Sequence, residues 1–487
     1  MSILESVSHP VVHAQDDHAA IADLAAAFAA QKAAFSTDRN PSIEVRRERL
    51  MALIGMLMAN REKIGDALIA DFGAHPRPAS DLIEVLGVVG RAQYVLEHLE
   101  EWMKPSVRHT EAALHGTAQA FVQYQPKGVV GNIVPWNFPF DLSVGPLTEM
   151  LAAGNRVIIK PSEYTPACGA LLAEMVAAAF DPDLVHVVNG GLDLAQGFSA
   201  KPWDHLLYTG SPNVGRQVMQ AAAANLTPVT LELGGKCPAI MTLGSVNAAN
   251  VESVIGTKII KNGQMCISVD YALVPRGEID AFVDHARAFM AEAAPDYARG
   301  DEITGIISPR HLARLTDMLS EAREGQNRIV TLESDDSVDA TSRRMPMSLV
   351  IDPAADLRIM QEEIFGPILP IVPYDDLDAV IAGINAGERP LGLYVFGADE
   401  ALTRDVLDRT HSGGACVNTC AVQGALPSLG FGGSGMSGMG RHHGIEGYRE
   451  FSNQRGVVIR GEGDIIAAFY APYAKAAGLV EAVLSGA

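Results

Sequence analysis

The chain is short of cysteine, of positive charge and of long apolar runs, and each shortage removes a class of protein. Its five cysteines, Cys168, Cys237, Cys266, Cys416 and Cys420, are scattered without a CxxC pair. That usage argues against a disulfide framework and against a zinc site, so no metal is expected and a reducing compartment suits the chain. Cys416 and Cys420, in ACVNTCAV, lack a second Cys or His pair and read as buried thiols. The formal net charge is -21, whereas a nucleic-acid binder offers a dense basic face to phosphate, so no nucleic-acid partner is expected. The carboxy-terminal stretch from Gly463 is apolar but broken by Pro472, Lys475 and Glu481. It falls short of the ~18 uninterrupted apolar residues of a spanning helix and reads as a surface helix. The first residues, MSILESVSHPVVHAQDD, carry acid and histidine where a secretory leader needs a basic start and an apolar core, so a cytoplasmic protein is the default. No GxGxxG fingerprint follows the first strand, and there is no internal repeat.

What remains is a globular composition, 48% hydrophobic and 20% charged, spread over 487 residues, too long for one core and long enough for two domains. From about His18 to Lys104 the pattern predicts consecutive helices, punctuated at Pro41, Gly73 to Pro78, and Pro105. Leu50, Leu53, Ile54 and Leu57 form one apolar stripe there, with Arg46, Arg47, Glu48 and Arg49 as a solvated flank. Thr117 to Gln125 alternates as a half-buried strand. From Gly128 the runs GVVGNIV, RVIIKPS, VHVVNG, DHLLYTG and VTLELGG alternate with small-residue helices, which predicts a doubly wound parallel sheet with ligands beyond its carboxyl ends. After Gly235 a second α/β unit follows, with LVPR, GIIS, PILPIVPY and LGLYVFG as candidate strands. The glycine-rich Leu429 to Gly440 closes it, either as a flexible loop or as part of a site.

Chemistry gathers around Lys258 to Asp270, KIIKNGQMCISVD, where a Gly-Gln turn delivers Cys266. A lone cysteine is more often a small buried hydrophobe than a catalyst, and it attacks carbonyls only as the thiolate. Glu232, between Leu231 and Leu233, has the apolar setting that raises a carboxyl toward use as a general base, although strand glutamates are also commonly salt-bridged. Asn137, in IVPWNFP, is either a turn residue or an amide donor for an oxyanion.

Taken together, IVPWNFP, VTLELGGKCP, KNGQMC and EEIFGP, in this order, resemble the aldehyde dehydrogenase superfamily from about residue 40 to 460. The resemblance implies an α/β fold with two doubly wound domains and a small β oligomerisation arm. A NAD-binding domain would span residues 1–235, interrupted by an arm at 108–126. A catalytic domain would span 236–446, with further arm residues at 447–460 and a surface helix at 461–487. It implies Cys266 as nucleophile, Glu232 as general base, and Asn137 with the Cys266 backbone N–H as oxyanion donors. For the cofactor it implies Trp136, Lys160, Ser162, Glu163, Gly210, Ser211, Gly215, Glu363 and Phe365. Lys160 and Glu163 would hold the adenosine ribose, Gly210 and Ser211 would lie under the pyrophosphate, and Glu363 and Phe365 would meet the nicotinamide side. Glu163 would repel a 2′-phosphate, which favours NAD, although relatives with this glutamate accept NADP as well.

The segments WMKP, ISPRHLARL, NLTPVTLELGG, LPSLGFGGSGMSGMGRHHG and FYAPY are most similar to the coniferyl aldehyde dehydrogenase branch, near the class 3 and fatty aldehyde enzymes. That likeness implies an aromatic propenal as substrate and a homodimer, the late stretch Tyr448 to Ile459 pairing with the arm strand. His442 and His443 read as tunnel wall or as surface. Two positions depart from the superfamily pattern: Lys261 stands where an asparagine is usual, and Pro212 where a hydroxyl residue is usual. A CoA-acylating enzyme would not need Glu232, and a non-catalytic relative would not need Cys266.

Overall fold

The computed structural model describes residues 17–485. The reading of the amino-terminal stretch as no secretory leader falls on residues 1–16, outside those described. The expected helical region is present as His18–Thr37, Ile43–Ala59, Arg61–Phe72, a π-wound turn pair Ser80–Gly87, and Val88–Met103. Ser42 caps the second helix through Val45 N, and Gly73, at φ 77°, ends the third in the left-handed conformation that glycine adopts without a Cβ clash. Leu50, Leu53 and Leu57 are buried as the stripe predicts. Arg46 is not on a solvated flank. It is buried, and its guanidinium donates to the Pro41 and Ala152 carbonyls and to Asn40 Oδ1, because a carbonyl-lined pocket satisfies its fork of donors.

Two sheets organise the rest. The first runs in the order Gly438–Met439, Val229–Leu233, His205–Gly210, Val129–Ile133, Arg156–Lys160, Val185–Val187, and all but its first strand are parallel. The chain winds one way from Val129–Ile133 through Arg156–Lys160 to Val185–Val187, then crosses back to His205–Gly210 on the other side. This is the doubly wound arrangement, and its switch point lies between Val129–Ile133 and His205–Gly210. The second sheet runs Arg328–Thr331, Ser348–Ile351, Ile368–Tyr374, Tyr271–Pro275, Pro238–Met241, Gly392–Phe396, Gly414–Val417, parallel except at its first pair. The central strands of both sheets are buried on both faces, as continuous Val, Ile and Leu runs require.

A third, three-stranded sheet joins Ser106–Arg108, Gln119–Pro126 and Ser452–Ile459, all antiparallel, with Ser452 opposite Pro126 and Ile459 opposite Gln119. The expected pairing of the two segments, far apart in sequence, is therefore present. Val107, Val458 and Ile459 lie exposed on it.

GIIS is not a strand. Gly305 N and Ile306 N donate to the Ala74 and Arg343 carbonyls, and Ile307 N to Gln264 Oε1, so the segment's donors are spent on loops rather than on a ladder. The carboxy-terminal helix covers Ala477–Ser485 only. Ile466–Phe469 and Tyr473–Ala476 are separate single turns, divided at Pro472, which supplies no N–H to a continuous helix. Among the described residues no helix is long and apolar enough to cross a membrane.

Candidate active site

Adjacent strands of the first sheet carry, or lead into, several of the singled-out residues. Val129–Ile133 runs on into Trp136 and Asn137, Arg156–Lys160 ends at Lys160, His205–Gly210 ends beside Ser211, and Val229–Leu233 carries Glu232. A groove of about 1350 Å³ is lined by Ser211, Arg216, Gly234, Lys236, Glu363 and Met436, from segments that flank the strands of the two sheets.

Ser211 caps the Pro212–Ala223 helix, accepting from Val214 N at 3.4 Å. Pro212 takes the first helical position, where no backbone N–H is needed, so the departure there removes a hydroxyl but keeps the helix N-terminus. Gly215 faces the sheet so closely that a Cβ would overlap Leu233. At the next strand end Lys160 Nζ is buried and reaches the Pro161 carbonyl at 3.0 Å and Glu163 Oε2 at 3.3 Å, while Ser162 Oγ accepts from Tyr164 N. Glu163 stays partly exposed toward solvent. A helix N-terminus, a carboxylate paired to a lysine and a glycine-lined approach are the parts a dinucleotide needs: amides and dipole for the phosphates, acceptors for ribose hydroxyls. The residues present fit that group.

Cys266, Glu232 and Asn137 lie outside the lining of that groove. Cys266 is half-buried. Burial first, then the carboxyls of Glu363 and Glu232, push its thiol above the usual range, while the backbone N–H groups of Cys266 and Ile267 favour the anion. Glu232 is buried with neither carboxyl oxygen hydrogen-bonded among the described residues. Burial raises its pKa well above the ordinary value, against the pull of Arg441 and with the push of Glu450. Asn137 is 3% exposed, and its amide has no hydrogen-bond partner among the described residues. Glu363 is pushed up to about 8, chiefly by burial. Its carboxylate lies against Gly234, where a Cβ would overlap Oε2, and the Phe365 ring meets Trp136 edge-on at 5.3 Å. The Cys266 thiol and the Glu363 and Glu232 carboxyls therefore come within electrostatic reach of one another from distant segments. Residues 6–457 match the sequence profile of the aldehyde dehydrogenase family.

The chain belongs to the aldehyde dehydrogenase family.

It is 42% identical over 431 residues to a probable coniferyl aldehyde dehydrogenase of Caulobacter vibrioides, covering 88% of this chain and 89% of that one. It is 40% identical over 448 residues to the coniferyl aldehyde dehydrogenase of a Pseudomonas species, covering 91% and 92%. Among solved structures, a substrate-bound Staphylococcus aureus AldH superimposes with a TM-score of 0.87 at 32% identity, covering 95% and 99%. A Mycobacterium tuberculosis aldehyde dehydrogenase complexed with NAD+ superimposes at 0.81 and 29%, covering 91% of each chain. The protein is thus an oxidoreductase acting on aldehydes.

In this aldehyde dehydrogenase the glycine-rich run packs against the strand that carries Glu232. Gly438 and Met439 pair antiparallel with Glu232 and Leu231, and a Cβ on Gly432 would come within 3.0 Å of Glu232 Oε1, so the run closes over the carboxyl. His442 and His443 are buried rather than on the surface, because Arg91 lies between them and Glu149. His443 Nε2 is 2.7 Å and His442 Nδ1 3.2 Å from the Arg91 guanidinium, which also forks onto Glu149. The supports of the site come from contacts between distant segments. Lys236 Nζ ties Asp270 to the Ile359 and Glu362 carbonyls, and Asp270 Oδ1 accepts from Ile364 N, which fixes the EEIFGP segment beside Cys266. Gln264, of the Gly-Gln pair, is fully buried and clamps the Lys261 and Gly305 carbonyls and Ile307 N. Glu84, in a helical region that offers no chemical motif, turns out to support the Cys266 loop. Only its place three residues before Gly87 in an otherwise apolar run marks it.

Proposed function

We propose that this enzyme oxidises a bulky aromatic propenal, coniferyl aldehyde in the first instance, to the carboxylic acid, using NAD in preference to NADP. The observation that carries the reading is Glu232: a buried carboxyl, both oxygens unpartnered, that acts electrostatically on the thiol of Cys266. Structural glutamates at such burial are paired, because an unsatisfied buried carboxyl is costly; one left free is held for a proton.

In the proposed sequence the Cys266 sulfur adds, as thiolate, to the aldehyde carbon. The carbonyl oxygen becomes an oxyanion that accepts hydrogen bonds from the Asn137 amide and the Cys266 N–H. The cofactor, when bound, supplies a hydride acceptor and a positive charge. Trp136, Glu363 and Phe365 would hold its nicotinamide end, Ser211 and the helix that it caps, with Gly210 and Gly215, its phosphates, and Lys160, Ser162 and Glu163 its adenosine end. Loss of hydride from the Cys266 adduct leaves a thioester. Glu232 then takes a proton from water, the hydroxide oxygen adds to the acyl carbon, the C–S bond breaks and the thiolate leaves. A raised carboxyl pKa makes Glu232 a stronger base once ionised, at the expense of the ionised fraction, so turnover should climb with pH above neutrality.

The preference for NAD rests on Glu163, whose charge would repel a 2′-phosphate, and the aromatic substrate rests on the two relatives named above. The first sheet and its helices would form the cofactor domain and the second sheet the catalytic domain. The three-stranded arm, with Val107, Val458 and Ile459 exposed, would join two copies in a cytoplasmic homodimer. The test is NADH formation at 340 nm with NAD and NADP against aromatic, short aliphatic and long aliphatic aldehydes. Cys266→Ser should abolish it, and Glu232→Gln should release a burst of about one NADH per site and then stall. Equal steady turnover in the Glu232 variant would remove its role as base, and a requirement for added CoA would reassign the acceptor.

A further inference from the structure

Lys261 stands in a demanding place. Lys261 and Asn262 both take the left-handed conformation, at φ 52° and 56°, followed by Gly263 at φ 76°. Asparagine tolerates that region through its short polar side chain, whereas lysine has no such compensation. Something about the lysine side chain must therefore offset its backbone, and the contacts show what it reaches. Lys261 Nζ lies 2.8 Å from Glu84 Oε1, with the two side chains 1% and 0% exposed. The ammonium also sits over the rings of Phe72 and Phe138, 4.8 and 4.9 Å from their centroids. Glu84 in turn accepts, on its other oxygen, from Phe140 N at 3.0 Å and Asp141 N at 2.8 Å. Those amides open the Asp141–Ala152 helix, and Phe138 adjoins Asn137.

One side-chain pair thus grips both halves of the oxyanion site. On one side the Lys261 carbonyl accepts from Gln264 N and Gln264 Nε2, so the backbone from Lys261 to Cys266 is braced from within. On the other side Glu84 and Phe138 hold the turn that presents Asn137. An asparagine at 261 would be too short to make the same bridge. Buried ion pairs are weak contributors to stability relative to apolar replacements, and their better-attested use is to set a register.

We infer that Lys261 and Glu84 are positioning residues: their ion pair locks the Cys266 loop to the Asn137 turn and so sets the geometry of the two oxyanion donors. The kinetic consequence rests on the thioester mechanism proposed above; the structural consequence does not. A misplacement of reacting groups by about 1 Å costs up to about 100-fold in rate.

The experiment compares Lys261→Met, Glu84→Gln, the double variant and Lys261→Asn in the full-length enzyme. Hydrogen exchange read by mass spectrometry on peptides spanning 258–270 and 134–142 should quicken in both segments in every variant, while NAD affinity stays within about twofold. In pre-steady-state assays each variant should lose at least about tenfold in the rate of the NADH burst with a smaller change in aldehyde KM. The double variant, which buries no unpaired charge, should regain thermal stability without regaining the burst rate; a pair with a merely structural role would restore both. If the methionine variants do not fold, Lys261→Asn, suited to the left-handed backbone, carries the comparison. Exchange that quickens in one segment only, or a double variant with the wild-type burst rate, would overturn the inference. If the wild type forms no NADH from any aldehyde, the mechanism falls while the exchange result still decides the link between the two segments.

Discussion

At the scale of single residues the account turns on groups whose hydrogen-bonding capacity is left unused. Asn137 is 3% exposed, with no hydrogen bond from its amide to the described residues, and Glu232 is buried with two free oxygens, which native interiors rarely leave. Replacing Asn137 by Ala should therefore lower kcat by about 10²- to 10³-fold, the usual cost of one oxyanion donor, with KM changing far less. A loss under about tenfold would assign the oxyanion elsewhere. Cys266 presents the converse problem, since burial, Glu363 and Glu232 all oppose the thiolate that attack requires. Alkylation of Cys266 by iodoacetamide should accordingly be slow in the free enzyme and quicken when NAD is added, which mass spectrometry of the 258–270 peptide would measure. The residue types of the site were legible in the sequence through its motifs. Their supports were not. Glu84 and Arg91 sit in helices where a charged residue ordinarily faces water, and only the three-dimensional pairing of Glu84 with Lys261 and of Arg91 with Glu149 reveals that they are buried.

At the scale of elements, periodicity served where an element is regular and failed where tertiary contacts decide. The strands ending at Ile133, Lys160, Gly210 and Leu233 follow directly from buried Val, Ile and Leu runs, and so do the first helices. GIIS has the same composition, yet its amides serve Ala74, Gln264 and Arg343, so contacts to three separate loops take the donors that a strand would use. Four strands of the second sheet, Pro238–Met241, Arg328–Thr331, Ser348–Ile351 and Gly414–Val417, are too short to stand out by alternation. The turn before Cys266 gives a direct test of this element. Gly263 has φ 76°, and a Cβ there would lie 2.3 Å from the Gly366 carbonyl oxygen. Gly263→Ala should destabilise the fold by at least about 2 kcal/mol in urea titration, because it adds left-handed strain to a clash with backbone. A change below about 0.5 kcal/mol, within the range of neutral surface substitutions, would mean that the loop adjusts freely.

At the scale of the whole molecule, the site imposes a pH dependence on stability. Burial pushes Glu363 up to about 8 and Asp141 to about 7, from ordinary values of 4.5 and 3.8. Between those ordinary values and the raised ones the folded protein holds protons that the unfolded chain has released, so stability falls as pH rises through that window. Histidines that burial keeps neutral, His311 at about 4 against 6.5, act in the opposite sense, but only below pH 6.5. From about pH 6.5 to 8 the carboxyls therefore dominate, and Tm should decline. Glu363→Gln together with Asp141→Asn should flatten the decline, and a Tm that rises across that interval in the wild type would contradict the burial argument.

All three scales meet in one chemical claim: acyl transfer runs through the sulfur of Cys266 and ends on water activated by Glu232. The direct measurement is peptide mass spectrometry of Glu232→Gln enzyme, acid-quenched after mixing with NAD and coniferyl aldehyde. The account predicts the acyl mass of the aldehyde on the peptide that contains Cys266, at a stoichiometry near that of the NADH burst. NADH formed with no adduct on Cys266, or with the adduct on Cys237 or another cysteine, would contradict it.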